Sequence, residues 1–392
     1  MLLSSVMRIA LLDNAAGCPP HTAPCTGPMP ALADALRQMG HAVALYDSQG
    51  VLHQPSAEPP RRPDPGACPC PPDTQAAATP APEQPAAKPA GEACSCVLSE
   101  STRFLPPQQA EDMLRLPDGA DVIHALQPFA PVQGSICLHH VMSCTTHPAA
   151  QSEPVYASAA LGRFCNHPAG AVVHCGIDPQ QYFFRADNDG YLLYAGTRGT
   201  GQTAQEHMQD CLLPQHSFLL AAGLARAAGL PLVVAAPAEQ FAGTAGTAGN
   251  AHISFAGSLT HAEYAQLLAG ARALIHPALT PDWTGMAVLE ALVSGTPVLC
   301  TATGALPEVC SHGVTGFFFR CMDDARMQLR HMDSINPYDC RMHVLCGFTH
   351  RHMAERCLSL YAQRFRQACE RARDAALSAS TGRPSCTGSF AV

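Results

Sequence analysis

The sequence predicts an α/β architecture of two doubly wound, Rossmann-like sheets facing a cleft. Short apolar runs bounded by Gly, Pro and polar residues recur along the 392 residues, which is how buried parallel strands read. Between them lie helix-length segments with apolar residues at helical spacing, and strands that alternate with helices argue a parallel sheet. Hydrophobic residues make up 47% of the chain, enough for two cores of ordinary size.

The most informative stretch is 274–319. Apolar runs at 273–275 and 297–301 read as two strands, with one helix between them. From Met286 the apolar Leu289, Leu292 and Val293 share a helical face, Thr284 is placed to cap the first turn, and Gly295 ends the last. In a parallel sheet, ligands sit beyond the carboxyl ends of the strands, where free N–H groups and the positive helix end attract phosphate. Thr284, Gly285 and Met286 occupy that place. Asp282 stands just before them and Glu290 lies at the edge of the apolar arc, so two acids bracket the anion site. Pattern alone fits equally with Asp282 as a loop residue and Glu290 as a solvated helix acid.

Taken in order, 7–12 reads as a strand, 30–39 as a helix with Leu32, Ala35 and Leu36 inward, and 41–46 as a second strand. Residues 54–91 are rich in Pro and Ala with few large apolar side chains, so burial cannot offset the entropy of ordering them, and a disordered insertion over 54–96 is expected. Cys68 with Cys70 and Cys94 with Cys96 flank it without the usual Cys-x-x-Cys spacing or a surrounding fold, so no metal site is expected there. Runs at 120–125 and 135–140 are strands, the second ending in His139 and His140, and 172–178 is a strand and turn. The first domain is thus 1–53 with 97–171, and the second 172–348. The second holds strands at 191–195, 231–235 and 252–256, helices at 217–228 and 261–269, and the central unit. A closing helix of 349–370 follows, with Met353, Cys357, Leu360 and Tyr361 in one stripe, and a tail of 371–392 is expected to be disordered.

A net charge of −8 and a pI near 6.1 offer no general attraction to nucleic acid. The first thirteen residues are too short to span a membrane, carry Arg8 and lack a cleavage site, so no transmembrane segment is expected, although peripheral membrane contact is compatible with the chain. Nineteen cysteines scattered through strand and helix patterns, with no signal peptide, imply reduced thiols in the cytoplasm. Lys88 is the only lysine.

Asp282, seven residues, Glu290, then Gly295-Thr296-Pro297-Val298 and the turn Gly304-Ala305-Leu306-Pro307-Glu308, followed by Gly313 and Thr315-Gly316-Phe317, resembles the donor-binding signature of the family-four glycosyltransferases, the group 1 type with the GT-B fold. The opening strand, helix and strand, the phrase at 120–125 and the hinge at 172–178 resemble the same family. The resemblance implies a first domain on the acceptor side, a second that binds the donor, and a closing carboxyl-terminal helix. It implies a retaining transferase that moves a sugar from a nucleotide-diphospho-sugar to a saccharide, lipid or small-molecule acceptor, with no cofactor and no metal. Glu290 would hold the nucleotide ribose, Asp282 the sugar hydroxyls, and Arg198 with Gly196 the diphosphate. Backbone N–H groups of Thr284, Gly285 and Met286 would take the phosphates beside Trp283. His139 would contact sugar and leaving group, or His140 if the register slips.

Three departures stand out. The first acid is usually Glu and here is Asp282; the loop 13–26 has Gly17 alone where paired glycines are usual; and the segment 196–206 supplies Arg198 but no lysine for the phosphate clamp. A missing cation removes stabilisation of developing charge, so reduced activity is compatible with the sequence. A sugar-nucleotide binding protein without transferase activity is therefore the alternative. A nucleotide-sugar epimerase of similar fold would need further acids in the cleft.

Overall fold

The computed structural model describes residues 7–12, 28–46, 52–53, 120–126, 134–143, 153–195, 213–244 and 252–381. The loop 13–26, the insertion 54–96 with its cysteine pairs, Gly196, Arg198 and residues beyond 381 lie outside the described residues. Two sheets form the frame. In the first, β1 (Arg8–Leu12), β2 (Ala42–Tyr46), β3 (Leu52–His53), β4 (Val122–Ala125), β5 (Ile136–Val141), β6 (Glu153–Tyr156) and β7 (Ala171–Val172) run in the order β3-β2-β1-β4-β5-β6-β7. All pairs are parallel except β2 with the short edge strand β3.

The second sheet holds β8 (Leu192–Tyr194), β9 (Leu232–Val234), β10 (Ile253–Phe255), β11 (Ala273–His276), β12 (Val298–Thr301) and β13 (Gly316–Phe319) in the order β10-β9-β8-β11-β12-β13, all parallel. This is the doubly wound pair of domains that the sequence predicts.

Helices cover the faces. In the first domain, α1 (Pro28–Gln38) buries Leu32, Ala35 and Leu36, and α2 (Ala159–Phe164) is capped by Ser158, whose hydroxyl accepts the Leu161 N–H at 3.2 Å. In the second, α3 (Leu213–Ala228) packs on one face of the sheet. On the other face lie α4 (His261–Gly270), α5 (Met286–Val293) and α6 (Leu306–Val309). Thr260 and Glu263 form a reciprocal capping box at the start of α4. After these, α7 (Met322–Arg330) joins the α3 face and α8 (Pro337–Gly347) joins the α5 face.

The last helix, α9 (His350–Thr381), crosses back. Met353, Cys357, Leu360 and Tyr361 are buried against Leu11, Leu32, Leu36 and Leu138 of the first domain, so the predicted stripe is the docking face. Its length corrects one expectation. The helix continues beyond residue 370 to Thr381, where a disordered tail was expected to begin, and residues 371–377 are exposed on every side. β3, β6 and α2, together with β13, α7 and α8, had no expectation, and of the strand expected at 172–178 only Val172 lies in one, at the end of β7. Pro154 hides β6, because proline inside a run argues against a paired strand.

The chain passes between domains twice, at 173–178 and at 348–350, and the two passages pair. Ile177 donates its N–H to the Phe348 carbonyl at 3.1 Å and accepts the His350 N–H at 2.8 Å. Gly176 lies between them, and a Cβ there would sit 2.4 Å from the Thr349 carbonyl oxygen. Gly176→Ala is therefore expected to cost about 1–3 kcal/mol, the range for forced overpacking. Thermal denaturation checks it: Tm should drop by several degrees, and an unchanged Tm would show that the crossing has room to spare.

Candidate active site

The carboxyl ends of β11 and β12 and the start of α5 meet at one place, and Asp282 organises it. Its Oδ1 accepts the N–H groups of Thr284 at 3.0 Å and Gly285 at 2.8 Å, while Oδ2 meets Nε2 of His276, the last residue of β11, at 3.1 Å. Burial alone would push the Asp282 carboxyl up, but the hydrogen bond and charge of His276 and the two N–H donors outweigh it and bring the group down to about 2.

The loop after β12 closes onto the same residue. Ala305 donates its N–H to the Asp282 carbonyl at 2.6 Å. Gly304 adopts φ +58°, and a Cβ there would lie 2.0 Å from that carbonyl oxygen, so only glycine lets the two loops touch.

Two expectations are corrected here. Thr284 does not cap α5; the cap position is Gly285 at φ +67°, with no side-chain cap, because the Asp282 carboxylate already takes the first N–H groups. For the same reason the N–H groups of Thr284 and Gly285, expected to face phosphate, are directed at Asp282, and the Asp282 oxygens, expected to face sugar hydroxyls, are engaged within the loop. Met286 opens α5 and packs half-buried on the core.

Glu290 sits half-buried one turn into α5. Its Oε1 accepts the Tyr182 hydroxyl at 3.0 Å and its Oε2 the Tyr264 hydroxyl at 3.2 Å. The carboxylate lies between two phenols that come from different elements and are far from it in sequence.

The paired histidines are both fully buried. Strand alternation sends them to opposite faces of the sheet. On the α9 side, the His140 ring stacks on His124 of β4 with centroids 5.2 Å apart, and His124 Nδ1 lies 2.7 Å from the Tyr361 hydroxyl of α9. Nε2 of His140 meets the Val173 carbonyl at 3.1 Å. His139 faces the other way, with Nε2 at 3.3 Å from the Leu126 carbonyl and Nδ1 lacking a partner among the described residues. His140, the neighbour that a slipped register would use, therefore lies on the α9 face of the sheet.

Two further residues tie the domains together. Trp283, expected to bind donor, packs its ring on Phe164 of α2, with centroids 5.0 Å apart, beside the buried Val141, Tyr156 and Leu161 of the first domain. Glu308, quoted in the turn motif but given no role by the sequence, reaches the same helix. Its oxygens accept the N–H groups of Ala159 at 2.9 Å and Ala160 at 2.7 Å, and one meets His174 Nε2 at 2.8 Å. Burial opposes ionisation of Glu308, but these donors hold its carboxyl below the usual range. A carboxylate at a helix start is favoured by the free N–H groups and the dipole. The only sequence signal was an acid in a Pro-containing turn, and its target lies 149 positions away.

A cavity of about 420 Å³ lies elsewhere, between β7 and α9, lined by Val172, Glu355, Arg356 and Ser359 among others, and none of the candidate residues touches it. The strand ends and the helix start locate the site. Among the described residues no group of His, Cys, Asp and Glu is disposed to hold a metal ion, and no helix is long and apolar enough to cross a membrane.

Comparison with known proteins bears on the fold and on the second domain. Residues 227–335 match the sequence profile of the glycosyl transferases group 1 family. The fold is similar to AviGT4, a glycosyltransferase involved in avilamycin A biosynthesis, with 23% identity over 91% of this chain and 97% of that one at a TM-score of 0.59. It is also similar to a glycosyltransferase from Rickettsia africae (11% identity, 91% and 98% covered, TM-score 0.59). A third similar structure is the Anabaena protein HepE in complex with UDP and glucose (13% identity, 91% and 99% covered, TM-score 0.51). No curated protein matches the chain by sequence.

Two outcomes follow from the Glu308 carboxylate and the buried imidazoles. Glu308→Ala strips partners from His174 and the start of α2, which should cost about 2 kcal/mol; a Tm equal to that of the parent would refute the contact. Burial pushes His140 down to about 4 and also lowers His124 and His139, so the folded chain binds fewer protons than the unfolded chain below pH 6.5. Their contribution is complete above pH 6.5 and is lost as pH falls toward 4. Tm measured from pH 7.5 to 4.5 should decline, and His140→Gln should flatten the decline; parallel curves would assign acid sensitivity to other groups.

Proposed function

We propose that this chain, which has the GT-B fold and carries the group 1 glycosyltransferase signature in its second domain, transfers a sugar from a nucleotide-diphospho-sugar to an acceptor with retention of anomeric configuration. The observation that carries the reading is the convergence of the ends of β11 and β12 on the start of α5, with Asp282 and Glu290 on either side of that helix start. Such a place favours a diphosphate, because the helix end offers partial positive charge.

In this reading the ribose enters by exchanging with the hydroxyls of Tyr182 and Tyr264 on Glu290, since a diol presents two donors at similar spacing. Asp282 acts one step back: its carboxylate takes the N–H groups of Thr284 and Gly285 and so fixes the turn that opens α5. Arg198 places a cation on the diphosphate, where negative charge grows as the leaving group departs, and the helix end supplies the rest of that stabilisation. His139, whose Nδ1 is buried without a partner among the described residues, turns toward the sugar in this reading. Trp283, packed on Phe164, joins donor and acceptor domains across the cleft. A metal is not required by this arrangement, and the acceptor is a saccharide, lipid or small molecule held by the first domain.

Thermal-shift measurements with uridine-, guanosine- and adenosine-diphospho-sugars test the donor, since a ligand that binds only the folded chain raises Tm. Uridine compounds come first, given the UDP held by HepE. Arg198→Ala is then expected to lower turnover by a factor of about 100 or more with Tm retained, the scale for losing one charge-stabilising group. Turnover unchanged in Arg198→Ala would remove that residue from the mechanism.

A second reading has a specific observation behind it. The oxygens of Asp282 and Glu290 already have partners within the chain, and the segment after β8 has no lysine. That combination suits a protein that binds a sugar nucleotide without turning it over. Saturable nucleotide binding with neither hydrolysis nor transfer would select it.

A further inference from the structure

Two phenols hold Glu290, and they belong to different mechanical units. Tyr264 sits on α4, within the second domain, and donates its hydroxyl to Oε2 at 3.2 Å. Tyr182 sits on the segment by which the chain enters that domain, just after the crossing at 173–178, and donates to Oε1 at 3.0 Å. One carboxylate thus joins α4 to the interdomain passage.

The segment that carries Tyr182 is short and braced. Asp178 opens a single 3-10 turn, Pro179–Gln181: its Oδ1 accepts the Gln180 N–H at 3.0 Å and its carbonyl the Gln181 N–H at 3.2 Å. Proline in the first position stiffens the turn by fixing φ. Tyr182 follows directly and is buried, with the His261 ring nearly perpendicular to its own at 5.0 Å between centroids and His261 Nε2 3.1 Å from the Gln181 carbonyl. On the other side of Asp178 stands Ile177, bonded through both backbone groups to Phe348 and His350 of the returning passage. His350 adds its ring, with Nδ1 3.2 Å from the Ile177 carbonyl, and it is the first residue of α9, the helix that docks on the first domain. From the crossing to the acid there is only the stretch from Asp178 to Tyr182, too constrained to absorb a shift at one end without passing it to the other.

We propose that Tyr182 is a positioning residue that couples ribose binding at Glu290 to the interdomain crossing. The inference rests on the donor reading of Glu290 given above and deepens it. A diol that takes the carboxylate displaces both phenols, with different consequences. Displacement of Tyr264 disturbs α4 alone, inside the second domain. Displacement of Tyr182 removes the anchor at the end of the braced turn and loosens the bonds of Ile177 to Phe348 and His350. The nucleotide thereby acts on the start of α9 and on the helix that holds the first domain. A ligand shifts a conformational equilibrium only by contacting its two states differently, and the exchange of hydroxyls on one carboxylate supplies that difference.

Hydrogen exchange of the full chain, read by mass spectrometry, tests the coupling. The probe is UDP, GDP or ADP, whichever raises the Tm of the parent. The amides of Ile177 and His350 report the crossing, and those of β11 and β12 serve as the internal reference for global protection. Saturating nucleotide is expected to speed exchange at Ile177 and His350 by about tenfold relative to that reference, the scale for losing one hydrogen bond to a charged group. Tyr182→Phe should show the same loss of protection without nucleotide and no further loss with it. Tyr264→Phe removes an equal hydroxyl from the same carboxylate, and should keep the parent's protection at the crossing until nucleotide is added. Both variants retain the ring and its packing, and exchange in β11 and β12 at the parent's level verifies that they fold; the parent measurement needs no variant. Undiminished protection at the crossing in Tyr182→Phe, or equal loss in the two variants, overturns the proposal whatever the nucleotide does. A nucleotide that raises the Tm of the parent but leaves its crossing unchanged sinks the coupling and leaves the donor reading standing. If none of the three raises that Tm, the donor reading falls and the coupling with it.

Discussion

The architecture of the site rests on one half-buried carboxylate. Asp282 gathers the end of β11 through His276, the first turn of α5 through two N–H groups, and the loop after β12 through its own carbonyl. Each contact alone is ordinary. Together they join two strand ends and one helix start around a largely desolvated charge, and such a charge deprived of partners is costly. The short Asp side chain suits this role, since it keeps the carboxylate within reach of the N–H groups two and three positions ahead. Gly304 is the complement on the other loop, because nothing larger admits the approach.

The second constraint acts between domains. Glu308 projects from the turn that Asp282 anchors and receives the start of α2, while the hinge passages at Gly176 and Thr349 pair through backbone groups. The relative placement of the two sheets therefore depends on the same loop that shapes the candidate donor site. A ligand that rearranges that loop would be coupled to domain position by differential contacts alone. The carboxylates held internally by tyrosine and backbone donors are consistent with a resting arrangement in which the chain satisfies its own polar groups until a ligand supplies replacements.

In the first domain the polar groups serve packing. His124 and His140 stack under α9 and meet Tyr361, so the return helix is fastened by imidazoles that must stay neutral. His139, one position along the strand, faces the opposite side, which separates a structural histidine from a candidate for chemistry by nothing more than strand alternation.

The sequence by itself determined the two parallel sheets, the strand-loop-helix-strand unit around Met286–Val293, the stop of that helix before Gly295 and the stripe on α9 that docks, because these are local: burial periodicity, breakers and caps act within a few residues. It also marked Asp282 and Glu290 as the acids of interest. Only the tertiary structure decided what those acids touch. The partners of Glu290, Tyr182 and Tyr264, come from 108 and 26 positions away, and Glu308 finds α2 across the cleft. No periodicity encodes such distances, because the direction of a side chain is local while the identity of what it meets is set by how whole elements pack.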